Sequence, residues 1–75
     1  MTRDAVIEQL ADLEHQQWCH WAQGLLADEP GLSLDRASRW RRELIPYHDL
    51  PEDRKELDRV WPRRVLTLFQ QGMTP

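Results

Sequence analysis

Residues 4–26 carry apolar side chains at helical spacing, with a carboxylate among them. When this segment is wound at about 100° per residue, its apolar residues share one broad face: Val6, Ile7, Leu10, Leu13, Trp18, Trp21 and Leu25. Glu14 falls near the middle of that face, and His15 and His20 fall at its opposite margins. Burial of a carboxylate costs free energy unless the group is paired or hydrogen-bonded. We therefore expect Glu14 either to have a partner elsewhere in the chain or to bind a ligand.

Helix start and stop signals divide the chain into three helices. The first is expected over residues 4–28, because the Glu-Pro-Gly sequence at 29–31 cannot continue a helix. A second is expected over residues 33–45, beginning at the capping residue Ser33. A third is expected over residues 51–70, with proline at its first position. No stretch shows the alternation that is typical of strands, so the sequence predicts a small all-α fold.

Prolines shape the second half of this predicted fold. Residues 46–51, Pro-Tyr-His-Asp-Leu-Pro, are expected to form a short connector before the third helix. Pro62 lies inside the third helix and lacks the N–H that would bond to the carbonyl of Asp58. It is therefore expected to bend or split that helix. Residues 71–75 are expected to form a frayed tail.

The length of the chain limits how much core it can build. A chain of 75 residues allows one domain, and a domain of this size buries only about 60% of the surface that its unfolded form exposes. The single cysteine excludes an internal disulfide and fits a reducing compartment. The chain has four tryptophans, and each can bury about 150–250 Å². Association with further copies is the other way to bury more apolar surface, so we expect a homo-oligomer.

Charge and hydropathy argue against two classes of partner. The net charge of −3 does not favour binding of a nucleic acid polymer. No apolar run approaches the roughly 20 residues that a membrane span needs, and the first residues lack the apolar core of a signal peptide. We expect a cytoplasmic protein without a membrane partner.

Arg64 lies inside an apolar stripe of the third helix, as Glu14 does in the first. The stripe consists of Leu57, Val60, Trp61, Val65 and Leu68. If the two helices pack together, the two charged groups face a common interior. In one interpretation they form an internal ion pair that fixes helix register, or Glu14 accepts a hydrogen bond from an indole. In the other, Glu14 accepts from a ligand whose phosphate or carboxylate Arg64 binds.

The second helix carries the densest positive patch, with arginines at positions 36, 39, 41 and 42. Arg39 and Arg42 share one side of the helix, and Arg36 extends that side. Guanidinium groups match phosphate oxygens, so this side is a candidate for binding the phosphates of a nucleotide. The alternatives are a solvated face balanced by acidic residues, or a contact with a neighbouring subunit.

Metal binding and catalysis find little support in the spacing of residues. His15 and Cys19 lie four residues apart on one side of the helix, but a structural zinc site takes four ligands and only two are visible. The chain has no Ser/His/Asp set, no cysteine with an obvious base and no glycine-rich phosphate loop. We expect no enzymatic activity, no metal and no cofactor.

Three short segments carry a family pattern. They are LADLEHQQW at 10–18, PYHDLPE at 46–52 and ELDR at 56–59. Together they resemble the ryanodine-receptor repeat domain (RyR domain), which has a His or Glu before a Trp in its first helix, a Pro-aromatic-x-x-Leu-Pro connector and an acidic helix with Asp-Arg. The arginine-rich helix replaces a Gly-Trp-x-Tyr-Gly loop of many members. In this respect the chain looks like the compact stand-alone form of bacteria and bacteriophages.

The resemblance implies a binding protein for a small, nucleotide-derived signal molecule, and some compact phage-encoded proteins sequester such signals from host defence. The positions that match the family motif are His15, Trp18, Tyr47, Asp58 and Trp61. In the ligand interpretation, Tyr47 and an indole form a stacking wall while His15 and Asp58 bond to the edge of a base or ribose. In the structural interpretation these aromatic residues pack in a core, which is the more common role for Trp18 and Trp61.

Two functions of different classes therefore remain open. The first is a ligand-binding protein that holds a nucleotide-derived molecule without turnover. Its expected ligand-binding residues are Glu14, His15, Trp18, Tyr47, Asp58, Trp61, Arg64, Arg39 and Arg42. The second is a helical module that binds another protein through exposed Trp and Arg side chains, which are enriched at interface hot spots.

Overall fold

Three helices and one short 3₁₀ turn make up the computed structural model, which describes residues 1–29, 31 and 33–73. Helix α1 spans Arg3–Asp28, α2 spans Leu34–Glu43 and α3 spans Glu52–Met73. The connector between α2 and α3 contains the 3₁₀ turn Tyr47–Asp49. No residue in the described part of the chain lies in a strand. The prediction of a small all-α fold with three helices is confirmed.

Side-chain caps explain where the first two helices begin. The Thr2 hydroxyl accepts a hydrogen bond from the amide of Ala5 at 3.1 Å, and the Ser33 hydroxyl accepts from the amide of Arg36 at 3.2 Å. Each bond satisfies an amide that has no partner within its helix. Helix α1 ends at Asp28 as expected, although the expected helix breaker Pro30 lies outside the described residues.

Helix α3 differs from its prediction in two ways. It runs unbroken through Pro62, so the expected split does not occur. Pro62 is buried, and packing of α3 against α1 on both sides of the proline holds the helix together. Residues 71–73 are helical rather than frayed, and Arg3 donates a hydrogen bond to Gln70 at 2.7 Å that ties this end of α3 to the start of α1. Residues 74 and 75 lie outside the described part.

Helices α1 and α3 run antiparallel, and the connector closes one side of the pair. Arg3 pairs with Gln70 and His15 pairs with Asp58, so the start of α1 lies beside the end of α3. The central core cluster is small and consists of Ala11, Tyr47 and Leu50, with Ile45 packed against it. Because the connector supplies Tyr47 and Leu50, it acts as the third wall of the core. Helix α2 packs against the second half of α1 through contacts between tryptophan rings.

The molecule is long and thin, with extents of 51 × 23 × 15 Å and a radius of gyration of 15.1 Å. A compact domain of this length has a radius of gyration of about 11 Å. Because the molecule is only about one helix layer thick, large apolar side chains remain exposed, among them Leu13, Trp21 and Trp61. The prediction that Trp61 packs in the core is wrong, because the residue is 57% exposed. None of the described helices combines the length and apolar character required to span a bilayer.

Candidate functional site

His15 joins the three walls of the core. Its side chain projects from α1 and is buried. The ring atom Nε2 lies 2.8 Å from the carbonyl oxygen of Ile45 in the connector. The other ring nitrogen, Nδ1, lies 3.3 Å from Oδ2 of Asp58 in α3. The imidazole is therefore a bridge between all three segments.

Both partners of the His15 ring are hydrogen-bond acceptors, which constrains where protons lie. A neutral imidazole has one N–H, and the Ile45 carbonyl requires it at Nε2. The other ring nitrogen, Nδ1, faces the Asp58 carboxyl group. Burial raises the pKa of Asp58, the adjacent His15 lowers it, and the charge of Glu43 raises it. The two side chains form a polar contact at the wall of a cleft.

Cys19 contacts the same imidazole but has the wrong electrostatics for a nucleophile. Its Sγ atom lies 3.4 Å from Nε2 of His15. Burial raises the pKa of the Cys19 thiol, and the negative charge of Asp58 raises it further. The thiol is therefore protonated at neutral pH and unreactive. Among the described residues, no group of three or more His, Cys, Asp or Glu side chains is arranged to hold a metal ion.

Tyr47 has a structural partner instead of the expected role as a stacking wall. Its hydroxyl donates to Oε2 of Glu8 at 2.8 Å, and the Nε of Arg59 donates to Oε1 of the same carboxylate at 2.5 Å. The ammonium of Lys55 lies 5.7 Å from the centre of the tyrosine ring. Because the residue is only 2% exposed, its faces are closed to a ligand. The stacking-wall prediction for Tyr47 is wrong.

The contacts of Tyr47 also perturb the titration of this cluster. Burial raises the pKa of Tyr47 to about 12, and its hydrogen bond to Glu8 adds to the shift. The hydrogen bond from Arg59 lowers the pKa of Glu8, burial opposes this, and the bond from Tyr47 lowers it further. At neutral pH the cluster is therefore a neutral phenol and a guanidinium that share one carboxylate.

A cleft of about 210 Å³ opens beside the His15–Asp58 pair. Its lining residues are His15, Trp18, Glu43, Leu50, Arg54, Leu57 and Asp58. The Trp18 ring stacks on the His15 ring, with centroids 5.9 Å apart and planes inclined by 17°, and meets the Trp40 ring edge-on at 6.1 Å. Trp18 is half-buried, so it serves both as packing and as an aromatic wall of the cleft. In this cleft His15, Trp18 and Asp58 come together.

A second groove of about 250 Å³ adjoins this cleft and carries the arginines of α2. Its lining residues are Arg39, Arg42, Glu43, Leu50, Pro51 and Arg54. The cleft and the groove share Glu43, Leu50 and Arg54 and are therefore adjacent; we call the two together the His15–Arg39 cleft. Arg36 lines a separate concavity near the end of α1, so the positive patch of α2 is divided between two sites.

The sequence did not indicate the two charged residues at the centre of the His15–Arg39 cleft. Nη2 of Arg54 lies 2.9 Å from Oε1 of Glu43, which joins the start of α3 to the end of α2. In the sequence these residues look like ordinary surface charges. Only their positions in the sequence could have indicated this role, because Glu43 and Arg54 lie close to the two ends of the connector that closes the core.

Glu14, Trp61 and Arg64 lie away from the His15–Arg39 cleft. The predicted pairing of Glu14 with Arg64 is wrong, because the Arg64 guanidinium instead lies over the Trp61 ring, 4.8 Å from its centroid. Arg64 is exposed and Glu14 is half-buried. Burial raises the pKa of Glu14, and the charge of Asp58 raises it further. These residues belong to an open surface of α1 and α3 rather than to a shared interior.

Comparison of the chain with protein-family models, curated proteins and solved structures finds no match. The properties of the His15–Arg39 cleft are therefore the basis for a functional proposal.

Proposed function

We propose that the chain is a small-ligand-binding domain of the RyR type, which holds a nucleotide-derived, anionic molecule without turnover. The observation that carries this proposal is that the cleft at His15 and the groove at Arg39 and Arg42 are adjacent and share three lining residues. One end offers an aromatic ring and a carboxylate, and the other offers guanidinium groups. A nucleotide has the same two-part chemistry, with a ring system at one end and phosphates at the other.

Each part of the His15–Arg39 cleft has a defined recognition role in this proposal. Trp18 supplies aromatic surface for a base, for which stacking contributes about 1–3 kcal/mol. Asp58 contacts His15 through Oδ2 and offers Oδ1 to an N–H of a base or a hydroxyl of a ribose. Arg39 and Arg42 bind phosphate oxygens through charge-assisted hydrogen bonds.

The size of the concavity supports a ligand of this class. Typical ligand pockets have volumes of about 300–1,000 Å³. The cleft and the groove, at about 210 and 250 Å³, are each smaller than this and reach the range only when one ligand occupies both. The expected ligand therefore extends from Trp18 to Arg39 instead of filling either part alone.

A concavity on the other side of His15 is less suited to an anion. It has a volume of about 400 Å³ and is bounded by α1 and residues 44–47. Its polar side chains are neutral amides, a thiol, a phenol and imidazoles, and its lining includes no arginine or lysine. We therefore assign the ligand to the His15–Arg39 cleft.

Calorimetric titration against cyclic dinucleotides and ADP-ribose derivatives tests this proposal. We expect binding heat and a rise in melting temperature with at least one member of the panel. The double variant Arg39→Glu/Arg42→Glu should abolish both effects, whereas Arg41→Glu should preserve them because Arg41 lies outside the cleft. Absence of heat and of any thermal shift with the whole panel would contradict the proposal.

The sequestering role that the resemblance implies for phage-encoded members is an extension of this proposal. It requires that the ligand be held tightly and released unchanged. Mass spectrometry of the small molecules released when the purified, ligand-loaded protein is denatured tests it. Recovery of the intact ligand is expected, and recovery of a cleaved product would show turnover.

The exposed tryptophans favour a second candidate function, that of a helical protein–protein interaction module. Trp21 and Trp61 are 53% and 57% exposed, and tryptophan is enriched at interface hot spots. Affinity capture with the wild-type chain and with Trp61→Ala distinguishes the two functions. An interaction module should retain a partner protein that Trp61→Ala loses, and should not respond to nucleotides.

A further inference from the structure

One side of the α1–α3 pair has an uncovered surface with the same residue spacing on both helices. On α1 it consists of residues 10, 13, 14 and 17, and on α3 of residues 61, 64, 65 and 68. The spacing i, i+3, i+4, i+7 places each set on one side of its helix. We call this surface the α1–α3 face. Leu13, Trp61, Val65 and Leu68 in it are 60%, 57%, 53% and 69% exposed.

The contacts of the connector show that both sets lie on the same side of the pair. The connector reaches α1 at Glu8 and Asp12, through Tyr47 and His48. It reaches α3 at Lys55, which lies over the tyrosine ring. These positions are rotated by about 150° from the α1–α3 face on their helices, at 100° per residue. The face is therefore directed away from the connector on both helices.

The amount of exposed surface matches what a dimer interface requires. The chain exposes 5867 Å², whereas a monomeric protein of 9.0 kDa exposes about 4,900 Å². The excess is of the order of 1,000 Å², and a stable interface of standard size buries about 800 Å² on each partner. The surplus surface of one copy is therefore large enough to form one side of a dimer interface.

The charges within the α1–α3 face are self-complementary. The pairs Arg3–Gln70 and His15–Asp58 fix the antiparallel alignment, which places Glu14 level with residue 59 and Arg64 level with residue 9. The two charged groups are therefore on different helices and about five residues apart along them, or roughly 7.5 Å. Consider two copies whose α1–α3 faces meet, related by a two-fold axis that is parallel to the helices and lies between the two faces. This axis brings α1 of one copy over α3 of the other. Extended Glu and Arg side chains can span the offset.

We propose that the α1–α3 face is the interface of a homodimer, in which Glu14 of each copy pairs with Arg64 of the other around the apolar contacts of Trp61 and Leu68. Within one chain neither charged group has an ionic partner among the described residues. Arg64 is already held over the indole of Trp61, so its guanidinium is positioned at the face. The pairing occurs twice by symmetry, as in any isologous interface.

Sedimentation velocity over a concentration series tests the proposal, with circular dichroism to confirm that each variant is helical. The wild-type chain should be a dimer at high concentration. Glu14→Arg and Arg64→Glu each place like charges opposite one another, and each should raise the dimer dissociation constant by about tenfold or more. The double variant Glu14→Arg/Arg64→Glu should restore the wild-type constant. Because the two residues do not touch within one chain, such rescue must act between copies.

A matched control reverses two exposed charges away from the face. Asp28→Arg/Arg41→Glu should leave the dissociation constant unchanged. If Glu14→Arg fails to fold, Arg64→Glu alone still tests the interface, because Arg64 is exposed in the single chain. A mass of one chain at every concentration overturns the proposal, as do a trimer or a dimer that neither reversal weakens. The test uses no nucleotide and is therefore independent of the proposed function.

Discussion

Nδ1 of His15 lies 3.3 Å from Oδ2 of Asp58 across the interface of α1 and α3. This pair belongs both to the core and to the wall of the His15–Arg39 cleft. The same two side chains therefore determine helix alignment and present an acceptor to the ligand. Variants at these positions are expected to change stability as well as binding, and the two effects have to be measured separately.

Replacement of Asp58 with alanine should destabilise the fold. Nδ1 of the buried His15 would lose its partner, and an unsatisfied buried polar group costs about 1–3 kcal/mol. Urea denaturation at pH 7 should show a loss of this size. Asp49→Ala is the matched control, because Asp49 is exposed and a surface substitution changes stability by less than about 0.5 kcal/mol. Equal losses in the two variants would contradict the assigned role of the pair.

Replacement of Tyr47 with phenylalanine should cost about 1 kcal/mol at neutral pH, because it removes one hydrogen bond to Glu8. It should also change the alkaline limit of stability. The pKa of Tyr47 is raised from 10 to about 12 in the folded chain, so the unfolded chain loses this proton first as the pH rises. The stabilisation is thus complete below pH 10 and is lost between pH 10 and 12. The free energy of unfolding, measured by denaturation at a series of pH values in this range, should fall more steeply with pH for wild type than for Tyr47→Phe.

Replacement of Glu8 with glutamine should weaken the fold at neutral pH and have little effect in acid. Hydrogen bonds from Arg59 and Tyr47 lower the pKa of Glu8 below its ordinary value. Its contribution is therefore present above that ordinary value and is lost as the pH falls through the lowered folded pKa. Since Glu8 is half exposed, we expect Glu8→Gln to lower the free energy of unfolding by about 1 kcal/mol at pH 7. A difference between wild type and Glu8→Gln that persists at pH 2 would contradict this assignment.

Replacement of Arg54 with glutamine should weaken ligand binding more than it weakens the fold. Arg54 lines both parts of the His15–Arg39 cleft, whereas its ion pair with Glu43 is partly exposed and contributes at most about 1 kcal/mol to stability. We expect the dissociation constant for the ligand to rise about tenfold, which corresponds to loss of one charge-assisted hydrogen bond. Calorimetry provides this value, and Arg41→Gln is the control that should bind as wild type does.

Capping residues and apolar periodicity were sufficient to predict the helices. Ser33 and the break after Asp28 determined boundaries within a few residues, since both act through local backbone hydrogen bonds. Periodicity also placed Glu14 on an apolar face, but it describes rotation about one helix and does not specify which side a neighbour covers. The incorrect pairing of Glu14 with Arg64 follows from that limit.

The candidate site was harder to predict because its decisive contacts join distant parts of the chain. Tyr47 is closed to ligands by Glu8, which is 39 residues earlier. The Glu43–Arg54 pair acquires its position only when α2 and α3 meet at the connector. Such pairings depend on tertiary packing, and nothing in the local sequence distinguishes these charges from solvated ones.

Chemical-shift mapping by NMR tests most directly whether the His15–Arg39 cleft is the binding site. The probe is the cyclic dinucleotide or ADP-ribose derivative that gives the largest thermal shift, titrated into the isotopically labelled chain. We expect the indole signal of Trp18 and the backbone amides of Arg39, Arg42 and Arg54 to move, while the indole signal of Trp61 stays in place. Shifts confined to Trp61 and Leu68, or no shifts with any member of the panel, would contradict the assignment of the cleft.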